Sequence, residues 1–282
     1  MLAKRLAFDQ VCDVSQASSG VALPSQFLCA PGNYVLNGQA YDMNASGVYV
    51  FTDPIAQVWC RRAVTNADPM EMCAAFANMH CHGGNDSAQP FSTLETIARN
   101  RRVSTTCGVI APWAAKWLAS AGFRTRVVRF LTTQTPNNYD DGHVAVEIFW
   151  NGAWTLADID LGRYYTLSGA PVSAKDFVSS LPVSNLVTNH LCLASSKLDT
   201  APVATGATFN YPNYDEIAFS TPTLSDQWVN RICQCIGIDA ADGNTYWMLP
   251  AGKGQAYINW VQGLSSTWKV DTDPNVWSAR FY

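Results

Sequence analysis

Charge is scarce in this chain: Asp, Glu, Lys and Arg make up 14% of its 282 residues, and the formal net charge is −4. So thin and slightly acidic a balance leaves no electrostatic footprint for nucleic acid. The local cluster Arg99, Arg101 and Arg102 reads as a cationic cap where a helix C-terminus favours positive charge. Long apolar runs are missing too. No stretch approaches the roughly twenty residues that would span a bilayer, and the opening Met1–Asp9 segment has too short an apolar core for a signal peptide. Cytoplasmic location is therefore favoured, unless a leader has been removed. No internal repeat or low-complexity segment occurs.

Metal-binding spacings are also lacking, so neither a metal nor a cofactor is expected. Cys73, His80, Cys81 and His82 invite a ligand reading. If the helix through Cys73 continues, however, Cys73 and His80 lie roughly 10 Å apart along its axis. That is too far for one tetrahedral ion with ligands about 2.0–2.3 Å away. Cys233 and Cys235, spaced CxC on a helix-like segment, are not a zinc pair either.

What the chain has is apolar mass: 48% hydrophobic residues with ten tryptophans. This supports a large packed core and excludes disorder. The length allows one large domain or two modest ones. With nine cysteines, one assigned below to chemistry, an even remainder permits disulfides, although a cytoplasm would keep them reduced.

Residues 1 to about 60 read as turns and short strands. Helical signals begin near Pro69, with Met70–Met79 stopped by Gly83-Gly84, then Ser92-Thr-Leu-Glu95 as a capping box. A hydrophobic helix follows Cys107 and ends at Gly122. Strands are predicted over Phe123–Leu131, Val144–Trp150 and Ala153–Ile159, with a polar loop from Thr132 to Asp141 bordering the second. A short helix is expected at Ser173–Phe177, a longer one at Ser225–Ile236, short strands and loops over 196–223, and β structure over 245–282. Trp260, Trp268 and Trp277 are the best candidates for exposed aromatic faces. Helices followed by an antiparallel sheet argue for an α+β fold.

Three residues carry the chemistry. Cys107 stands beside its helix, His143 opens a strand after Asp140-Asp141-Gly142, and Asp158 lies on the next strand. A thiol becomes a competent nucleophile when an imidazolium or a helix N-terminus favours its thiolate. A carboxylate that orients the imidazole completes the unit. The two strands are joined by Asn151-Gly152, the strongest short signal for a two-residue hairpin loop. In ideal register His143 faces Asp160, Ala145 faces Asp158, and all three polar residues share one sheet face. Direct and diagonal neighbours are both within reach, so pattern alone does not choose between Asp158 and Asp160. Pro112 leaves the helix open as well: either it is kinked near Gly108, or it begins near Pro112 with Cys107 in the preceding turn.

The segments Thr106-Cys107-Gly108, Ala121-Gly-Phe-Arg-Thr-Arg-Val-Val128, Gly142-His143-Val-Ala-Val-Glu-Ile148 and Trp154-Thr-Leu-Ala-Asp158 resemble the transglutaminase-like superfamily, over roughly residues 100–165. That superfamily carries Cys, His and Asp in this chain order. The resemblance implies a papain-like core, a nucleophile at Cys107, a base at His143 and, because the acid follows a tryptophan by four residues, Asp158 as the third member. Animal transglutaminases place a tryptophan directly after the cysteine, where Gly108 stands here, so their particular chemistry is not implied.

The expected organisation is an N-terminal elaboration over residues 1–85, a catalytic core over 86–165 and an aromatic-rich C-terminal β/α region over 166–282 packed on it. The expected function is a cysteine-dependent hydrolase or acyltransferase acting on amide bonds of a peptide, isopeptide or peptide-linked glycan. Its partners are then peptide, protein or glycopeptide substrates. The competing expectation is a non-catalytic peptide- or glycan-binding module that retains the fold.

Overall fold

Asn151 and Gly152 adopt φ of 51° and 84°, the paired positive values that a tight hairpin loop demands. They join strand β8 (Gly142–Trp150) to β9 (Ala153–Asp158) in the expected register, with Trp150 opposite Ala153 and Phe149 opposite Trp154. The computed structural model describes residues 26–27, 33–36, 39–42, 49–50, 69–98, 103–137, 141–191 and 222–282. The expectations for Arg99, Arg101 and Arg102 and for residues 196–221 lie outside them.

The first strands form two small pairs: β1 (Gln26–Phe27) with β4 (Tyr49–Val50), and β2 (Asn33–Leu36) with β3 (Gln39–Asp42). Helix α1 (Pro69–Met79) runs directly into β5 (His80–His82), and α2 (Phe91–Ala98) leads to β6 (Val103–Thr105), which pairs parallel with β5. Helix α3 (Cys107–Ser120) and strand β7 (Arg124–Leu131) follow. Beyond β9 come β10 (Arg163–Leu167), β11 (Ala170–Pro171), α4 (Ala174–Ser179) and β12 (Val187–His190). The chain ends with α5 (Pro222–Ile232), β13 (Cys235–Asp239), β14 (Thr245–Met248), α6 (Gln255–Leu264), β15 (Trp268–Asp271) and α7 (Pro274–Phe281).

The fold is α+β. Among the described residues, nine strands form one sheet in the order β11-β10-β9-β8-β7-β13-β14-β15, with β12 paired to β10. All its pairings are antiparallel except β14 with β15. The sheet runs through residue 165, since β7 pairs directly with β13. Alternation sorts β8 onto two cores. Val144, Val146 and Ile148 meet Ile110, Ala114 and Leu118 of α3 on one face, with Ala157 of β9 and Ile159 just beyond it. Ala145 joins Phe130, Phe177 and Trp228 on the other. No described helix is long and apolar enough to cross a membrane.

Four expectations need correction. Helix α1 stops at Met79 rather than at the glycine pair, because His80–His82 finds a strand partner in Val103–Thr105. Helix α2 begins at Phe91, with Pro90 O accepting from Thr93 N and Leu94 N, so Ser92 lies inside the first turn and is no cap. Helix α5 ends at Ile232 and Cys235 already belongs to a strand paired with β7. Finally, 245–282 is mixed rather than β. Tyr257, Trp260 and Val261 have helical spacing and turn towards Leu131 and Trp247. Asp273 caps α7 through Asn275 N at 2.8 Å, with Pro274 as the first helical residue. Trp277 on that helix is fully buried, its Nε1 donating to Tyr246 O at 2.8 Å, and Trp260 and Trp268 are half-buried.

Candidate functional site

Cys107 is the first residue of α3, and Thr106 is its N-cap. Of the two possibilities left by Pro112, the helix therefore starts at the cysteine and carries the proline inside it. Pro112 has no N–H to offer the Gly108 carbonyl. The other end closes on Gly122, whose φ of 92° lets Gly122 N bond Ala119 O and Phe123 N bond Leu118 O at 2.9 and 3.1 Å. This left-handed close satisfies two terminal carbonyls. It also turns the chain into β7, where Thr125 Oγ1 donates to Ala115 O at 3.0 Å. The half-buried thiol thus sits at the positive end of a helix dipole, where negative charge is stabilised.

The approach to Cys107 is braced from the β5 side. Ser104 N donates to the Asp86 carboxylate at 2.8 Å and Thr106 N to Ser87 Oγ at 3.1 Å. Gly83 N and His80 Nε2 both donate to Thr105 O, at 3.1 and 2.8 Å.

His143, at the start of β8, is 2% exposed. Its Nε2 lies 2.9 Å from Asp158 Oδ2. An ionised carboxylate only accepts, so Nε2 carries a proton and Nδ1 is left as the nitrogen facing other chemistry. Nδ1 is buried, makes no well-formed hydrogen bond, and has the Cys107 thiol as its neighbour. Trp228 from α5 stacks edge-on against the ring, with centroids 5.3 Å apart. Burial opposes a charge on His143, yet Asp158 and Cys107 outweigh it and hold the imidazolium well above the ordinary histidine range.

The choice between the two aspartates has a geometric answer. The ladder between β8 and β9 ends at Val146 with Ala157. Asp158 then reaches the diagonal residue His143, while its other oxygen accepts from Leu161 N at 2.9 Å. That bond starts a turn in which Gly162, with φ of 65°, donates to Ile159 O. The turn carries Asp160 out of the ideal register that would have set it against His143.

Asp160 is not idle. Fully buried, it takes His82 Nδ1 on both oxygens, at 2.9 and 3.0 Å, with His80 Nε2 at 3.5 Å. Burial pushes its pKa up, but His82 first, then His80 and His143, more than reverse this and hold it below the usual carboxylate range. One ligand atom each from Cys107, His143 and Asp160 lies within 4.8 Å of the other two. Sequence reasoning placed Asp160 on the right face and singled out His80 and His82 as structural or cleft-lining residues, but carried them along a continued helix and did not connect them with Asp160. Their spacing of two, the period of a strand, was the signal that put both on one side.

Other groups surround the site without having been foreseen. Arg163 pairs across the strands with Asp158, is 4% exposed, and donates to Asp226 at 3.2 Å. Cys233 is buried near enough to feel Asp158, Arg163 and Cys107, and burial first, then Asp158, keeps its thiol protonated. Cys73, Cys81, Cys233 and Cys235 are buried, whereas Cys107 is half-buried. Neither protein-family models, curated proteins nor solved structures give a significant match to the chain.

Proposed function

We propose that the chain is a cysteine-dependent hydrolase or acyltransferase of the transglutaminase-like kind, acting on an amide bond. One observation carries the reading. A half-buried thiol at a helix N-terminus stands beside a buried imidazole whose Nε2 is held by a carboxylate and whose Nδ1 is left to that thiol.

In this mechanism Nδ1 of His143 already holds the Cys107 proton when sulfur attacks the substrate carbonyl. Asp158 holds the tautomer and balances the imidazolium. The negative oxygen of the tetrahedral intermediate accepts from backbone N–H groups in the first turn of α3, where helices leave such donors unused. Collapse breaks the C–N bond, His143 returns its proton to the departing amine, and a thioester remains on Cys107. Water or an amine then attacks the thioester, His143 takes that nucleophile's proton, and the thiol is released. Cys233 lacks these features: it is fully enclosed and has no helix N-terminus. The substrate is a peptide, isopeptide or peptide-linked glycan amide.

An electrophilic amide-mimic probe tests the reading. Cys107 is expected to label faster than the other cysteines at neutral pH, and His143→Ala to abolish labelling. Equal labelling of Cys107 with and without His143 would overturn the catalytic reading. It would leave a binding module in its place.

A further inference from the structure

The donor set that surrounds the thiol suits a second occupant besides an acyl group. We propose that Zn²⁺ binds between Cys107, His143 and Asp160 and reversibly blocks the nucleophile.

Three observations support this. The first is reach: one sulfur, one imidazole nitrogen and one carboxylate oxygen lie within 4.8 Å of one another. Ligands about 2.0–2.3 Å from a tetrahedral ion are roughly 3.3–3.8 Å apart, so closure requires about 1 Å of side-chain movement. The second is the open nitrogen. His143 Nδ1 is buried and has only the Cys107 thiol beside it, while Nε2 is committed to Asp158. A metal-bound imidazole characteristically gives its other N–H to a carboxylate, which fixes the ring and strengthens the ligand. The third is the outer shell on the acid. Asp160 accepts from His82 at 2.9 Å, and ligating carboxylates are likewise held by hydrogen bonds.

Thiolate, imidazole and carboxylate are all zinc donors, and three protein ligands leave a fourth position for water. The charges match, since one thiolate and one carboxylate offset a divalent cation. Binding displaces one proton to solvent from the Cys107–His143 pair, whichever member holds it, and forms the Zn–S bond. No electron changes hands. Sulfur bound to zinc shares its negative charge with the cation and is a weaker nucleophile, and metal-bound Nδ1 cannot receive a proton. The inhibition rests on the acyl-transfer reading above, but the binding does not.

Sequence reasoning expected no metal because it considered Cys73 with His80, on a helix. The set proposed here draws on three separate elements, which no spacing rule connects.

The test uses the reduced full chain and Co²⁺ as a spectroscopic substitute, titrated in wild type, Cys107→Ser and Asp160→Asn. Wild type is expected to bind one equivalent with a thiolate-to-cobalt absorption band, and one equivalent of Zn²⁺ to remove it. Cys107→Ser should lack the band, and Asp160→Asn should bind at least tenfold more weakly. The Cys107→Ser arm decides the matter even where Asp160→Asn does not fold, which circular dichroism reports. A band that survives in Cys107→Ser, or no band in wild type, overturns the proposal. Labelling by the amide-mimic probe, run without metal, keeps the two readings apart. Reactive Cys107 with no cobalt band removes zinc alone, and a cobalt band with an inert Cys107 removes the enzyme reading alone.

Discussion

Strand β8 presents two buried polar side chains on one face, His143 and Glu147, about 13 Å apart along the strand, and their surroundings differ in kind. Both oxygens of Glu147 are supplied. Oε1 accepts from Ala174 N at 2.5 Å and Tyr282 Oη at 2.9 Å, and Oε2 from Arg126 Nε at 2.7 Å and Tyr282 Oη at 3.0 Å. Arg126 is itself layered over Trp154, 3.8 Å from the ring centroid, and donates to Phe281 O at 2.6 Å. This cluster ties α4 and α7 to the sheet and leaves the carboxylate nothing further to bind. His143 is held at one nitrogen only. Its other neighbour is the half-buried Cys107 thiol, a group that exchanges protons where Glu147 meets only fixed donors.

The sharpest way to break this contrast is to exchange the partners. Asp158→Asn should lower turnover by about three to four orders of magnitude through loss of the imidazole's orientation, with the fold retained, as steady-state kinetics and circular dichroism would report. Removing the acid of the other cluster should do the reverse. Glu147→Ala strands Arg126 without its buried counter-charge and should cost about 3–5 kcal/mol in denaturant unfolding. Labelling of Cys107 per folded molecule should be unchanged. If Glu147→Ala silences the thiol in folded protein, the two clusters are one.

Titration sharpens the contrast. The pKa of His143 is raised on folding, by Asp158 and Cys107 against the opposing effect of burial. The His143–Asp158 pair therefore contributes its full stability below the ordinary histidine value near 6.5. It loses that contribution as pH rises through the higher folded value. The unfolding free energies of wild type and Asp158→Asn should thus converge as pH climbs. By NMR, the His143 midpoint should fall in the variant, where burial acts without the counter-charge. A gap that stays constant with pH would mean the pair is not an ion pair. The smallest effect belongs to Tyr282→Phe, which deletes one donor to Glu147 and should cost about 1 kcal/mol of stability with no change in Cys107 labelling.

How much of this was legible depended on the distance over which each feature is determined. The β8–β9 hairpin was readable because Asn151-Gly152 and the alternation of Val144 to Trp150 are local. The same alternation placed His143, Asp158 and Asp160 on one face. Sequence pattern did not show the register break, since the turn of Ile159 to Gly162 is closed by the Asp158 side chain itself. Strand β5 was hidden for a related reason. His80–His82 is only three residues long and becomes a strand through Val103–Thr105, more than twenty positions away. The C-terminal aromatics were read as strand-formers, a propensity that depends on context. There the helical spacing of Tyr257, Trp260 and Val261 outweighed residue type.

Acyl-enzyme capture tests the central claim most directly. The protein is mixed with a panel of peptide, isopeptide and glycopeptide amides, quenched in acid, and mapped by mass spectrometry. The account expects at least one amide to leave its acyl group on Cys107, with one amine released per adduct and none in Cys107→Ala. Amide cleavage that persists in Cys107→Ala, or an adduct on a different cysteine, would contradict it.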